Sequence, residues 1–172
     1  MLAVVQRSLS RRISRVASLH IESRIASLGY TLPELPQPVG SYSLGVNHGG
    51  WVYLAGHLPF KEDMKSLYTG RVGIDFTVEE AEALAKLTGL ELISSLKRAV
   101  GDLDKVKRIV KVNGYIACPP EFVQLPAVLN GCSNLLGDIF EDRGVHARAA
   151  VGVASLPLGV PLEIDLLAQV DE

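Results

Sequence analysis

Five stretches of the chain carry the apolar–polar period of a strand. Near the C-terminus, Leu162, Ile164 and Leu166 fall on one face of an extended segment and Glu163 and Asp165 on the other. Just upstream, residues 148–154 are small or β-branched apart from one charge, Arg148. Pro157, Gly159 and Pro161 lie between these segments and mark a turn, so the pattern predicts a hairpin. Residues 42–47 and 51–55 read as another hairpin about His48-Gly49-Gly50. Val106–Ala117 reads as the fifth strand, with a bulge at Gly114. Residues 60–76 are polar and loop-like, with room for a short edge strand over 65–68.

Helical spacing governs other stretches. Ile21, Ile25 and Leu28 share a face over residues 21–30. Thr77 and Glu80 have capping-box spacing. Behind them Ala81, Leu84, Ala85, Leu92, Leu96 and Ala99 form an apolar face that stops at Gly101. A second long helix is expected over 126–140, with Pro126 in its first turn. Its apolar face is Val128, Leu129, Cys132, Leu135, Leu136, Ile139 and Phe140. Pro33, Pro36 and Pro38 make residues 32–38 an extended lead-in. The element order implies an α+β fold: a mixed β-sheet with two long helices packed on one face. Two helices leave much apolar strand surface uncovered, which self-association would bury.

The length of 172 residues suits one domain, and 48 % hydrophobic with 21 % charged residues suits an ordinary globular core. Cys118 and Cys132 are too few for a disulfide framework and are not spaced as metal ligands. No apolar run approaches the roughly 18–20 residues that span a bilayer, so a membrane is not expected as partner. Residues 1–20 stand apart. They hold Arg7, Arg11, Arg12 and Arg15, no carboxylate, and apolar residues every three or four positions. That describes a mitochondrial transit peptide; the alternative is a helix of the fold in a cytoplasmic protein. Residues 21–172 then form the single folded domain. With those four arginines set aside, the formal charge of −2 becomes −6 for residues 21–172, which argues against a phosphate-binding footprint and so against nucleic acid.

Arg148 is the first candidate for chemistry. A guanidinium holds a carboxylate through two parallel hydrogen bonds and stays charged at any relevant pH. A structural ion pair across an interface is its alternative role. Glu163 is the second, as a carboxylate able to orient water and relay protons; alternation alone makes it an outward-facing strand residue. Tyr42 can close over a planar ligand, and Gly56 lets backbone approach one closely. Each also has a plain structural role, as a half-buried tyrosine and a strand-end turn. Asn130, on the polar side of the second long helix, reads as either a cleft residue or an exposed one. His20, His48, His57 and His146 lack metal-ligand spacing, so no metal is expected. His57 and His146 each adjoin a motif, and His146 shares a strand face with Arg148. No Gly-x-Ser-x-Gly or phosphate-loop motif occurs.

The run from Arg148 through Val151, Val153, Leu156 and Pro157 to Glu163 and Ile164 resembles the C-terminal signature of the Rid (YjgF) family of enamine/imine deaminases. Residues 40–46 resemble the family's N-terminal motif, and Leu54-Ala-Gly56-His-Leu-Pro59 its second strand. The likeness extends over roughly residues 30–170. It implies a chorismate-mutase-like homotrimer with sites in clefts between subunits. It also implies hydrolysis of reactive 2-enamines or 2-imines, such as 2-aminoacrylate, to 2-keto acids and ammonia without a cofactor. Carried onto this chain, Arg148 and Glu163 are catalytic, and Tyr42, Gly56, His57 and Asn130 bind a small carboxylate substrate. The chain departs from the family's known deaminases at Ala55, where they have serine, at His57, where they have glutamine, and at Ala150, often cysteine. Those departures keep open a small-carboxylate or keto-acid binding protein without turnover. Ribonuclease, a label some relatives carry, is opposed by the charge.

Overall fold

The computed structural model describes residues 20–38 and 40–171. The expected transit peptide therefore lies, except for His20, outside the described residues. The elements in order are α1 (Ile21–Ser27), β1 (Gly45–His48), β2 (Trp51–His57), α2 (Val78–Val100), β3 (Val106–Ala117), α3 (Leu125–Phe140), β4 (Ala147–Val153) and β5 (Leu162–Val170). Short 3-10 turns precede β3, follow α3 and link β4 to β5.

The five strands form one mixed sheet in the order β1-β2-β5-β3-β4. Every pairing is antiparallel except β3 with β4, which α3 joins by a crossover. The sequence expectation of a C-terminal hairpin is thus corrected. β4 and β5 do not pair, because β3 lies between them. Alternation fixes which face of a strand is buried, and it says nothing about which strand lies alongside.

The helices α2 and α3 pack on one face of the sheet, as expected. Leu162, Ile164, Leu166, Ala168 and Val170 of β5 are buried beneath them, together with Val52 and Leu54 of β2 and Val106, Ile109, Val112 and Ile116 of β3. All seven apolar positions expected on α3 are buried. The two helices approach closely at Gly131, where a Cβ would lie 1.9 Å from the Glu82 carbonyl oxygen. The capping box forms in full: Thr77 Oγ1 accepts from the Glu80 N–H, and Glu80 Oε2 accepts from the Thr77 N–H at 2.8 Å. It is worth about 1 kcal/mol. No helix of the described residues is long and apolar enough to cross a membrane.

Among the described residues no helix covers the opposite, open face of the sheet. Val46, Tyr53 and Val151 project from it and are exposed.

Several boundaries moved. Strand β1 starts at Gly45 rather than Tyr42, because Ser43 turns its hydroxyl onto the Gly45 carbonyl at 2.8 Å and bends the chain. Residues 65–68 form no strand. Asp63 instead captures the N–H groups of Lys65 and Ser66 at 2.9 and 2.8 Å, closing a tight loop bridged at Phe60 and Leu67. Gly114 is no bulge. It pairs in register with Ile164, and its missing side chain makes room for Leu129. On α1, Ile21 and Ile25 are buried, but Leu28, at the helix C-cap, is exposed. At the first hairpin Gly49 and Gly50 both take positive φ, +58° and +77°, as a two-residue turn of that hand requires.

Candidate functional site

Glu163 and Asp165 project from β5 onto the open face. The neighbouring strand β2 pairs Leu54 with Leu166 and His57 with Ile164, so Ala55 and Gly56 together oppose Asp165 alone. This is a β-bulge, and it turns Gly56 toward Glu163. A Cβ on Gly56 would lie 1.8 Å from Glu163 Oε1 and 2.9 Å from its Cγ. The notch left by Gly56 therefore seats the Glu163 carboxyl. Burial raises the pKa of that carboxyl above the ordinary carboxylate value, and the charge of Asp165 adds to the rise. Asp165 is itself fixed by Asn113 Nδ2 at 2.8 Å and the Tyr115 hydroxyl at 2.9 Å.

Arg148 lies elsewhere. It pairs with Val112, whose side chain is buried under the helices, so Arg148 projects onto the helix face at the sheet edge. There Nη1 donates to Ser133 Oγ at 3.0 Å and Nη2 to the Pro126 carbonyl at 3.3 Å. No carboxylate among the described residues forms a salt bridge with it. Among the described residues only part of the fork is thus engaged.

Ser133 links Arg148 to His146, whose Nε2 lies 3.1 Å from the same hydroxyl while Nδ1 donates to the Gly144 carbonyl at 2.6 Å. Burial lowers the pKa of His146, and Arg148 lowers it further. Neutral His146 accepts from Ser133, leaving Ser133 oxygen to accept from Arg148. Pro126, Asn130 and Ser133 stand one turn apart along a single stripe of α3. Asn130 is half-buried on the stripe that Arg148 grips at both ends.

Tyr42, Gly56 and His57 line one cavity of about 390 Å³ beside β2. Tyr42 is exposed at 55 %. His57 is buried on the helix side: Nδ1 donates to the Ala55 carbonyl at 2.8 Å, and Nε2 accepts from Ser95 at 2.5 Å. Burial lowers its pKa, which keeps the ring neutral.

The six candidates therefore fall into two groups. Tyr42, Gly56, His57 and Glu163 gather around β2 and β5. Arg148 and Asn130 gather at β4 and α3. Between Arg148 and Glu163 lie two strand spacings, roughly 10 Å, and the thickness of the sheet. One chain by itself does not bring the pair together.

Sequence reasoning missed Ser133, Ser95 and Glu91. Ser133 was legible three residues after Asn130 on the same stripe. Glu91 stood seven residues after Leu84 on the apolar face of α2, where an acid is out of place. Among the described residues one carboxylate trio, Glu22, Asp102 and Asp104, comes within 4.8 Å. Its oxygens are taken locally. Asp104 accepts from the Ile21 N–H at 2.9 Å and pairs with His20, Asp102 accepts from the Asp104 N–H at 2.9 Å, and Glu22 accepts from the Leu103 N–H at 3.3 Å.

The sequence and fold have relatives. Residues 22–170 match the family described as "YjgF/chorismate mutase-like, putative endoribonuclease". Protein TCP17 of Trypanosoma cruzi is 39 % identical over 160 residues, covering 92 % of this chain and 99 % of that protein. A crystal structure of a protein of unknown function from Agrobacterium tumefaciens superposes with a TM-score of 0.80 at 40 % identity, covering 88 % of this chain and 92 % of that one. A 2-iminobutanoate/2-iminopropanoate deaminase of Dermatophagoides farinae is 28 % identical over 139 residues, 81 % of this chain and 93 % of the relative. On this match and the fold that accompanies it, the chain belongs to the Rid/YjgF family and has its chorismate-mutase-like fold.

Proposed function

We propose that the chain hydrolyses 2-imines and their enamine tautomers to 2-keto acids and ammonia, in clefts where Arg148 of one copy meets Glu163 of another. The observation that carries this reading is the Glu163 carboxyl, seated against Gly56 with its pKa raised. A protein that only binds a carboxylate needs Arg148 alone. A carboxyl that holds its proton at higher pH than usual is suited to general acid–base work.

The steps balance without a cofactor. Arg148 holds the substrate carboxylate through its remaining N–H groups. Glu163 protonates the imine nitrogen, then as a carboxylate takes a proton from the water that attacks C2. The carbinolamine collapses to the keto acid and releases ammonia. Asn130 and Tyr42 complete the polar wall. A homotrimer suits the geometry, because the two half-sites face away from each other in one chain and the open sheet face exposes Val46, Tyr53 and Val151. Sedimentation equilibrium tests the trimer directly.

The ribonuclease reading finds less support. Of the basic cluster on β3, Lys107 pairs with Asp171 at 2.8 Å and Arg108 donates to the Val145 carbonyl at 3.1 Å. The N-terminal arginines, read as a mitochondrial address, are tested by imaging a fluorescent fusion of residues 1–20.

The activity test generates 2-aminoacrylate in situ with a pyridoxal-phosphate lyase and follows keto-acid release. Wild type accelerates it. Glu163→Gln loses roughly 10²–10⁴-fold in kcat, the usual worth of a general acid–base. Arg148→Ala raises KM. Imine hydrolysis that is unchanged in both variants, or absent from wild type, overturns the proposal.

A further inference from the structure

The cavity beside β2 holds a feature that imine hydrolysis does not use. Its wall is built from the proline-rich lead-in, the loop after β2 and α2, and it is largely apolar: Leu35, Pro36, Leu44, Phe60, Met64 and Leu67 supply most of it. Glu91 of α2 also lines it and is completely buried. One carboxyl oxygen, Oε1, accepts from the Phe60 N–H at 3.1 Å. The other, Oε2, has no partner among the described residues.

A buried polar atom without a partner is costly, by about 1–3 kcal/mol and more when charged. Cores avoid it unless the group serves a ligand or a switch. The other titratable groups on the cavity wall do not relieve it. His57 is committed at both nitrogens to Ala55 and Ser95. Lys65 is exposed, with its ammonium in no salt bridge to Glu91. Tyr42 is exposed and makes no hydrogen bond to Glu91. As a carboxylate, Glu91 lacks a donor at Oε2, ideally a positive one, and Glu91 is part of the cavity wall. What the cavity lacks is an apolar body of moderate size, since about 390 Å³ is ample for a single small ligand.

We infer that this cavity is a binding site for a small organic ammonium: an aliphatic or aromatic body lying against Leu44, Phe60 and Leu67, with its protonated amine donating to Glu91 Oε2. The site is separate from the imine chemistry. Gly56 and Tyr42 are walls common to both, but Glu163 projects from the open face and Glu91 from the helix side. Burial holds the Glu91 carboxyl at a pKa of about 8, so the empty site is protonated at neutral pH. Binding an ammonium favours the carboxylate, so the complex forms with release of a proton to solvent.

The test uses the full chain and three probes of matched shape: 2-phenylethylammonium, 2-phenylethanol and 3-phenylpropanoate. Calorimetry at pH 7 in two buffers of different ionisation enthalpy gives both affinity and proton release. Wild type is expected to bind the ammonium at least tenfold tighter than the alcohol, to release close to one proton, and to bind the carboxylate most weakly. Glu91→Gln keeps a carbonyl oxygen for the Phe60 N–H and is expected to bind ammonium and alcohol alike. Equal binding of ammonium and alcohol by wild type, a preference that survives Glu91→Gln, or no binding of any probe overturns the inference. Should Glu91→Gln fail to fold, the wild-type contrast decides: ammonium bound no tighter than the alcohol overturns the inference. Keto-acid release by the same samples reads the deaminase proposal independently.

Discussion

Replacing Gly56 by alanine places a methyl group where the Glu163 carboxyl now lies. The added Cβ would stand 1.8 Å from Oε1 and 2.9 Å from Cγ, so the side chain must swing away rather than merely tilt its tip. The backbone does not object, because Gly56 is not among the positive-φ residues. The structural cost is then one Glu side chain off its preferred rotamer, about 0.5–1.5 kcal/mol, partly offset by the stiffer unfolded chain that alanine brings, about 0.4–1 kcal/mol. For a chain of this size the melting temperature should move by less than about 4 °C. The catalytic cost is much larger. A reacting group misplaced by about 1 Å loses on the order of 10²-fold, and this displacement exceeds that. Keto-acid release by Gly56→Ala should therefore fall close to the level of Glu163→Gln. KM should hold, since Arg148 is untouched. The double variant should be no worse than Glu163→Gln alone, because both act through one carboxyl. If Gly56→Ala retained wild-type kcat, the seat described for Glu163 would have no part in the chemistry.

Three further outcomes follow from the same geometry. Asp165→Asn removes the charge that helps raise the Glu163 pKa, so the alkaline limb of the kcat–pH profile should move to lower pH; an unmoved limb refutes the coupling. Burial raises the folded-state pKa of Glu91 to about 8 from the ordinary 4.5, so the folded state binds more protons between those pH values and stability falls as pH rises through them, by roughly 3 kcal/mol at pH 7. Urea titrations of wild type and Glu91→Gln should diverge by that order between pH 4.5 and 7, and parallel curves would count against a buried acid; the difference cancels His57, whose lowered pKa acts with opposite sign. Gly131→Ala forces a methyl to within 1.9 Å of the Glu82 backbone oxygen, and since main chain cannot turn aside, α2 and α3 must separate. Overpacking of this kind costs about 1–3 kcal/mol, which thermal denaturation would register as a clear loss; an unchanged melting temperature would mean the helices slide freely.

The helices were the most legible part of the fold. The period of 3.6 needs only local information, and α2 also announced both its ends, with Thr77 and Glu80 at the start and Gly101 at the stop. Strand faces were legible for the same reason, as the buried Leu162, Ile164 and Leu166 show. Strand neighbours were not. Pro157, Gly159 and Pro161 signal a turn correctly, but a turn between two strands specifies pairing only when it is as tight as Gly49-Gly50. The longer connection lets β3 sit between β4 and β5. The β3 pairing with β4 is parallel through α3, and that depends on a helix packing back over the sheet rather than on any short motif.

The same limit governs the site. Arg148 and Glu163 were visible as charges within apolar strands, and the expected hairpin would put them on neighbouring strands. That inference rests on a hairpin. Once β3 separates β4 from β5, the register places Arg148 with Val112 toward the helices and Glu163 with Tyr115 toward the open face. Two groups on opposite faces of one sheet can act on one small substrate only if a second sheet supplies one of them. The uncovered apolar residues of the open face and the unengaged part of the Arg148 fork then cease to be separate oddities. Both are what the proposed site would leave on a single chain if another copy completed it. Glu91 differs, because the cavity it lines is formed by a single chain.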